Sequence, residues 1–508
     1  MANQPQQSRQ PGQHEVQPLL NLLNAGRLAE AEALANRLLT IYPNTFILHN
    51  VLGIALDGQG KVASAIDSYR KALTLQPNMP DLHFNLGIAL SNLARDEEAI
   101  IAYRKAIALQ PGFFEAYGNL GVILQHQGKL EEAANAYRKG LSINPKDARG
   151  HFNLGTVLRD EGKLKEAIAS YQQAIALFPN YADAYSNLGE TFRDQGDMDL
   201  AVKSYLDALA LNPNHPSANY NMAEFLYLAK KYDEAIPYFE RSQLDDWLER
   251  SMYCLYKAER FDEFKSKLDS LAKTTKHTAP FLATLSTHYA TNFGTEDPYN
   301  FCKNGFDFVY QRAIPELAEP NSQLLKDLLH DINNAEIAER VQGMLHNGQQ
   351  SAGNLFKRPE ASFRALGELV KQEFVNYKNK FKGAECELIK SFPNELEFTS
   401  SWYVKMRQGG HLDAHIHEIG WISGAVYLAM PKRENPTDGC FEYGIHGDSY
   451  PQKHDNFPVG IASPNVGDIV LFPSSLFHRT IPFSSDQERI CIAFDLRPAG
   501  DMFRSSSY

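Results

Sequence analysis

One distance, 34 residues, recurs through the first half of this 508-residue chain and constrains its fold more than any other feature. Alanine keeps the step at Ala31, Ala65, Ala99, Ala133, Ala167, Ala201 and Ala235. Proline keeps it at Pro43, Pro77, Pro111, Pro145, Pro179 and Pro213, and glycine at Gly53, Gly87, Gly121, Gly155 and Gly189. A fixed period of this length marks a solenoid built from one repeated supersecondary unit. Each unit reads as two short amphipathic helices that cannot bury their apolar stripes alone. The small residues let paired helices approach closely, and the proline stops the second helix. At Trp247 the proline position is lost, and "LERSMYCLYKAERFDEFKSKLDSLAK" is expected to form a degenerate closing pair.

Several positions held in register over six or seven units resemble the tetratricopeptide repeat. The array is expected over residues 12–272, behind a disordered Gln- and Pro-rich lead-in at 1–11. A second column, Asn85, Asn119, Asn153, Asn187 and Asn221, keeps the same step. Asparagine is a mediocre helix-interior residue, so its recurrence asks for a reason. One reading is a solvated polar position kept by duplication. The other is a ladder of amides on the concave face, each offering a donor and an acceptor to an extended backbone. The column resembles the ladder in the repeat region of O-GlcNAc transferases, which implies a protein or peptide bound in the repeat groove.

Over 273–352 the period is gone. "HTAPFLATLSTHYATNFGTEDPYNFCKNGFDFVYQRAIPEL" carries too much Phe and Tyr for a flexible tether, and reads with the helical pattern after it as a packed bridge. A further region is expected over 353–508. It opens with a helix whose stripe is Leu366, Leu369, Val370, Phe374 and Tyr377. Then "EFTSSWYVKM", "GWISGAVYLAM", "GCFEYGI", "GDIVLFP" and "RICIAFDL" alternate with turn residues. Short strands so spaced predict a sandwich, jelly roll or barrel.

Candidate metal ligands gather in "GGHLDAHIHEIGW". Residues two apart on a strand share a face, so an extended segment would align His411, Asp413, His415 and His417. His478 follows in "LFPSSLFHRTIPF", and Arg489 opens the last strand. With "WISGAVY" at Trp421–Tyr427, "GDIVLFPS" at Gly467–Ser474, "HRTIP" at His478–Pro482 and "RICIAF" at Arg489–Phe494, this order resembles the iron(II)- and 2-oxoglutarate-dependent dioxygenases, in an H-x-H subgroup. The resemblance implies a multidomain chain in which an all-α repeat solenoid precedes a double-stranded β-helix (jelly-roll) domain with flanking helices. It implies Fe(II) and 2-oxoglutarate as cofactors, with His415, His417 and His478 as metal ligands. Arg489 would pair with the far carboxylate of 2-oxoglutarate, helped by Tyr427, with Arg479 and Arg497 as rivals. The family's H-x-D slot reads His415-Ile416-His417 here. Three ligand sets therefore stay open. His417 replaces the carboxylate, or Asp413 supplies it, or His411-Leu412-Asp413 is the pair and His415 lies behind it. A barrel that has lost its metal is the fourth possibility. Glu418 faces the other side of an ideal strand. His446 and His454 read as surface residues, His346 as a bridge residue with no partner at ligand spacing, and Trp402 and Trp421 as packing.

The formal net charge is −11, which argues against nucleic acid or an anionic membrane as partner. No stretch approaches the ~18 uncharged apolar residues of a membrane helix, and "MANQPQQSRQPGQ" lacks an apolar signal core. Five dispersed cysteines suggest a reducing compartment, so a cytoplasmic location is expected. The combined expectation is a dioxygenase that hydroxylates a protein or peptide recruited by the repeats. The alternatives are an interaction scaffold with an inert or sensory barrel, and a small-molecule oxygenase whose repeats recruit a partner.

Overall fold

A computed structural model describes residues 10–499 apart from 245, 341, 342, 394, 419 and 448. The lead-in expected at 1–11 lies outside the described residues up to position 9. The chain divides between Met222 and Ala223 into two compact units.

The first unit is a run of helix pairs, beginning with Gln13–Asn24 and Leu28–Ile41, then Phe46–Asp57 and Val62–Leu75. It continues in the same manner to Ala182–Gln195 and Met198–Leu211. Each second helix stops two residues before its proline. The alanine column from Ala31 to Ala201 is fully buried. The glycine column has a direct cause. A Cβ added at Gly53 would sit 2.5 Å from the Tyr69 ring, and one at Gly87, Gly121, Gly155 or Gly189 would meet Tyr103, Tyr137, Tyr171 or Tyr205 as closely. From the second pair onward, a buried tyrosine in each second helix thus packs on the glycine of its partner, and forms a 34-residue column of its own from Tyr69 to Tyr205. Gly60, Gly128 and Gly162 turn between paired helices with φ near +75°, a conformation that glycine adopts without steric cost.

The second unit begins with further helices, Tyr232–Ser242, Trp247–Lys257, Phe261–Thr274 and Pro280–Phe293. Ten strands follow: β1 (Tyr310–Ala313), β2 (Glu339–Arg340), β3 (Leu345–Ser351), β4 (Leu396–His415), β5 (Ile422–Ala429), β6 (Phe441–Gly444), β7 (Val459–Ala462), β8 (Asp468–Pro473), β9 (Phe477–Thr480) and β10 (Arg489–Pro498). They form one antiparallel sheet in the order β1-β8-β5-β10-β4-β9-β6-β7, with β3 joining β2 to β4. The sheet closes almost into a barrel, the jelly-roll architecture, around Val404, Met406, Tyr427, Phe441, Val470 and Phe472. Helix Ala361–Lys380 covers the sheet with its stripe of Leu366, Val370, Phe374 and Tyr377 buried. Three segments that read as bridge, β1, β2 and β3, are strands of this sheet.

Helix Pro280–Phe293 packs on the loop between β6 and β7 and on the turn between β8 and β9. Thr284 Oγ1 donates to the Ser475 carbonyl at 2.8 Å, and Asn292 Nδ2 to that of Pro451 at 2.9 Å. His288 Nε2 lies 2.8 Å from His446 Nδ1, and His454 Nε2 lies 3.2 Å from the Thr291 carbonyl. His446 and His454 are therefore not free surface residues, as the loop composition suggested. The helix that covers them comes from far upstream in the sequence. Burial pushes His288 down to about 3, with His446 and His454 adding to the effect. No helix among the described residues is long and apolar enough to cross a membrane.

Candidate metal centre

β4 is long and strongly bent, and it carries the centre. Its upstream half pairs with β10, and its downstream end with β9, where His415 stands opposite His478. Leu412 pairs with Thr480, so two residues of β4, Asp413 and Ala414, oppose one of β9, Arg479. This bulge reverses the facing of the chain. The expectation that His411, Asp413, His415 and His417 share one face is overturned. Leu412 and His415 line the cavity inside the barrel, and Asp413 turns out to pair with His346 at 2.9 Å. β4 ends at His415, so His417 is presented by the irregular chain beyond it.

The structure brings His415, His417 and His478 together, with one nitrogen of each within 4.8 Å of the others. Each Nδ1 is already engaged. His415 Nδ1 lies 2.8 Å from the Asp413 carbonyl and His478 Nδ1 3.3 Å from that of Leu476. His417 Nδ1 is bound to the Asp495 carboxylate. An Nδ1–H donated to an oxygen leaves the Nε2 lone pair for a metal, the arrangement usual for ligating histidines. Burial pushes His415 down to about 4 and His478 well below its ordinary value, each lowered further by its histidine neighbours. Both are thus neutral imidazoles at neutral pH, the form that metal binding requires.

Asp495 was not visible as a site residue in the sequence. It is buried on β10, receives Ser423 Oγ at 2.7 Å on one oxygen and Ser400 Oγ at 3.1 Å on the other. Burial works to raise its carboxyl, but His417 and the two hydroxyls overcome this and hold it below the usual carboxylate range. One signal could have found it, since a lone acid inside the apolar run "RICIAFDL" needs a buried partner. Ser423 and Ser474, 2.8 Å apart, show why both motif serines stand where they do.

The same cavity holds Arg489 and Tyr427. Arg489 is 2% exposed and fixed by Nε donation to the Gly439 carbonyl at 3.0 Å, with its guanidinium 5.1 Å from the centre of the Tyr427 ring. Among the described residues no carboxylate lies within ion-pair distance of it. Its two rivals are committed, Arg479 to Glu442 at 2.6 Å and Arg497 to Glu397 at 2.6 Å. The buried Tyr427 hydroxyl has no hydrogen-bond partner, and burial pushes the phenol up. Gln350 on β3, with an unpartnered Oε1, adds a polar group to walls otherwise made by Val404, Leu412, Phe441 and Phe472. Trp402, expected only to pack, lines the cavity 5.6 Å from the His417 ring, whereas Trp421 is buried and donates to the Leu388 carbonyl. Glu418 points away and pairs with Arg250 at 3.1 Å.

A family model described as "Putative 2OG-Fe(II) oxygenase" matches residues 400–495. Models described as "TPR repeat" match 58–93 and 155–196, and models described as "Tetratricopeptide repeat" match 80–113, 114–147, 136–169 and 186–246. The chain joins tetratricopeptide repeats to a domain that is similar to the 2OG-Fe(II) oxygenase model. No curated protein matches it. Among solved structures, MamA is 26% identical over 32% of this chain and 95% of its own, with a TM-score of 0.31. PilF of Pseudomonas aeruginosa is 25% identical over 38% of this chain and 90% of its own, at 0.34. YrrB, described as a TPR protein with an unusual peptide-binding site, is 21% identical over 36% of this chain and 95% of its own, at 0.34.

The asparagine column is half-buried from Asn85 to Asn187. Asn85 donates to Asn50 at 3.2 Å, and Asn119, Asn153 and Asn187 lie beside the phenols of Tyr103, Tyr137 and Tyr171. Asn221 departs from the ladder. It is 8% exposed, and its amide is used at both ends, accepting from Arg193 at 2.8 Å and donating to Glu190 at 3.0 Å. An amide so enclosed is less open to a peptide than the half-buried ones from Asn85 to Asn187, although it keeps one N–H and one lone pair.

Proposed function

We propose that this chain is an Fe(II)- and 2-oxoglutarate-dependent dioxygenase that hydroxylates a protein or peptide held by its repeats. His415, His417 and His478 hold the metal through Nε2, and Arg489 with Tyr427 receives the far carboxylate of 2-oxoglutarate. One observation carries the reading. A guanidinium buried without an anion, beside an unpartnered phenol, faces the cavity into which three oriented imidazoles point. Leaving such a charge uncompensated costs several kcal/mol, so the site is built for an anion of fixed shape. Arginine's planar fork suits a carboxylate. When bound, Fe(II) and 2-oxoglutarate supply the two-electron oxidant that is drawn from O₂. The chain's own part is to orient, exclude water and neutralise charge. The apolar walls keep the ligand nitrogens dry, and the Asp495 carboxylate behind His417 returns the negative charge that a ligating carboxylate would have given.

The repeats support a protein substrate, because a groove with regularly spaced amides suits an extended backbone. The test is succinate release from 2-oxoglutarate by metal-free chain reconstituted with Fe(II), together with iron stoichiometry. Native chain is expected to bind iron and release succinate, slowly when no peptide is present. His478→Ala is expected to do neither. Folded native chain that binds no iron and forms no succinate would favour a scaffold with an inert barrel.

A further inference from the structure

We propose a second divalent-cation site on the outer side of the barrel, made by His346, His411 and Asp413. It shares no side chain with the cavity just described. His346 on β3 stands directly opposite His411 on β4, and the two rings stack with centres 4.4 Å apart and planes 17° apart. His346 Nε2 lies 2.9 Å from Asp413 Oδ2, and His411 Nε2 lies 3.9 Å from Asp413 Oδ1. One nitrogen from each ring and a carboxylate oxygen all fall within 4.8 Å of one another. One histidine would satisfy this carboxylate. The second brings its own Nε2 to the other oxygen, yet stops beyond hydrogen-bond distance. Ligands at ~2.0–2.1 Å from a tetrahedral ion stand about 3.4 Å from each other, so small side-chain rotations close the set around a cation.

The backbone holds the cluster ready. His411 Nδ1 lies 3.0 Å from the Gly409 carbonyl, which leaves its Nε2 for the carboxylate side. Asp413 N donates to the Met344 carbonyl at 3.0 Å, and the bulge after Leu412 keeps Asp413 out of the inner cavity. The donor set selects the ion. Two imidazoles and one carboxylate suit Zn²⁺, Cu²⁺, Ni²⁺ or Co²⁺, whereas Ca²⁺ and Mg²⁺ prefer oxygen. The side chains are 45%, 31% and 56% exposed for His346, His411 and Asp413, so further coordination positions open to solvent. Asp413 serves both sites with different atoms, its side chain here and its carbonyl behind His415. His346 is paired with none of the three inner histidines, and is the position to change.

The test is titration of the metal-free, tag-free full chain with Zn²⁺ by calorimetry, repeated with Co²⁺ by visible absorption. Native chain is expected to bind two equivalents and His346→Ala one, with unchanged circular dichroism. His411→Gln gives the same readout should His346→Ala fail to fold. Variants that bind as many equivalents as native chain would overturn the outer site. Native chain binding a single equivalent that His346→Ala loses would keep the outer site and remove the inner metal reading instead. A single equivalent that His346→Ala retains would overturn the outer site alone.

Discussion

Asp495 carries more of the metal centre than its place inside an apolar strand suggests. It fixes the His417 ring and supplies the negative charge that the histidine set lacks. Asp495→Asn keeps shape and the contacts to Ser400 and Ser423, but removes the charge. Changes of this kind behind a ligand typically cost ~10–100-fold in metal affinity. We expect that loss for Fe(II) in competition against a coloured chelator, with folding intact; equal affinity in mutant and native chain would show that the carboxylate only packs. His415, His417, His478, Arg489 and Tyr427 could be nominated from the sequence because their motifs stand in a recognisable order. Asp495 could not, because its partner is set by register. It pairs with Ser423 across β10 and β5, and a register shift follows it at Leu496. The choice between His417 and Asp413 was equally hidden, since strand parity fails at a bulge that has no residue signature.

The helices were legible at the level of elements because each reports its own packing in period and punctuation. One column can be tested through an exception to it. The turn between paired helices has Gly26, Gly60, Gly128, Gly162 and Gly196 at positive φ, but Ala94 takes the same place in its repeat, with φ +54°. A Cβ in the left-handed region costs about 1 kcal/mol. Ala94→Gly should therefore stabilise the array by roughly that amount, read as a higher denaturant midpoint with an unchanged slope. A lower midpoint would mean that the flexibility gained by the unfolded chain outweighs the strain removed. The strands were less legible than the helices. β1 and β3 lie in a stretch that reads as bridge, and only their pairing with β8 and β4 makes them strands.

At the scale of the whole molecule, two kinds of recognition share one chain, and the residues that serve each are distinct. The cavity brings a few buried polar groups together, three imidazoles and a guanidinium among them. The repeats offer a shallow, periodic surface with no such convergence, so any affinity there must come from many weak contacts. Asn153 and Asn187 are neighbouring amides of that surface, half-buried beside Tyr137 and Tyr171. A neutral hydrogen bond contributes about 0.5–1.5 kcal/mol net, so losing two amides should weaken peptide binding roughly tenfold or more. We expect Asn153→Ala with Asn187→Ala to do so, measured by fluorescence anisotropy with a peptide selected on native chain from a randomised library. Peptide-free succinate release should stay at the native rate, because neither residue touches the cavity. Unchanged anisotropy would remove the ladder from recognition. A parallel loss of peptide-free turnover would mean instead that the repeats support the barrel's stability rather than deliver its substrate.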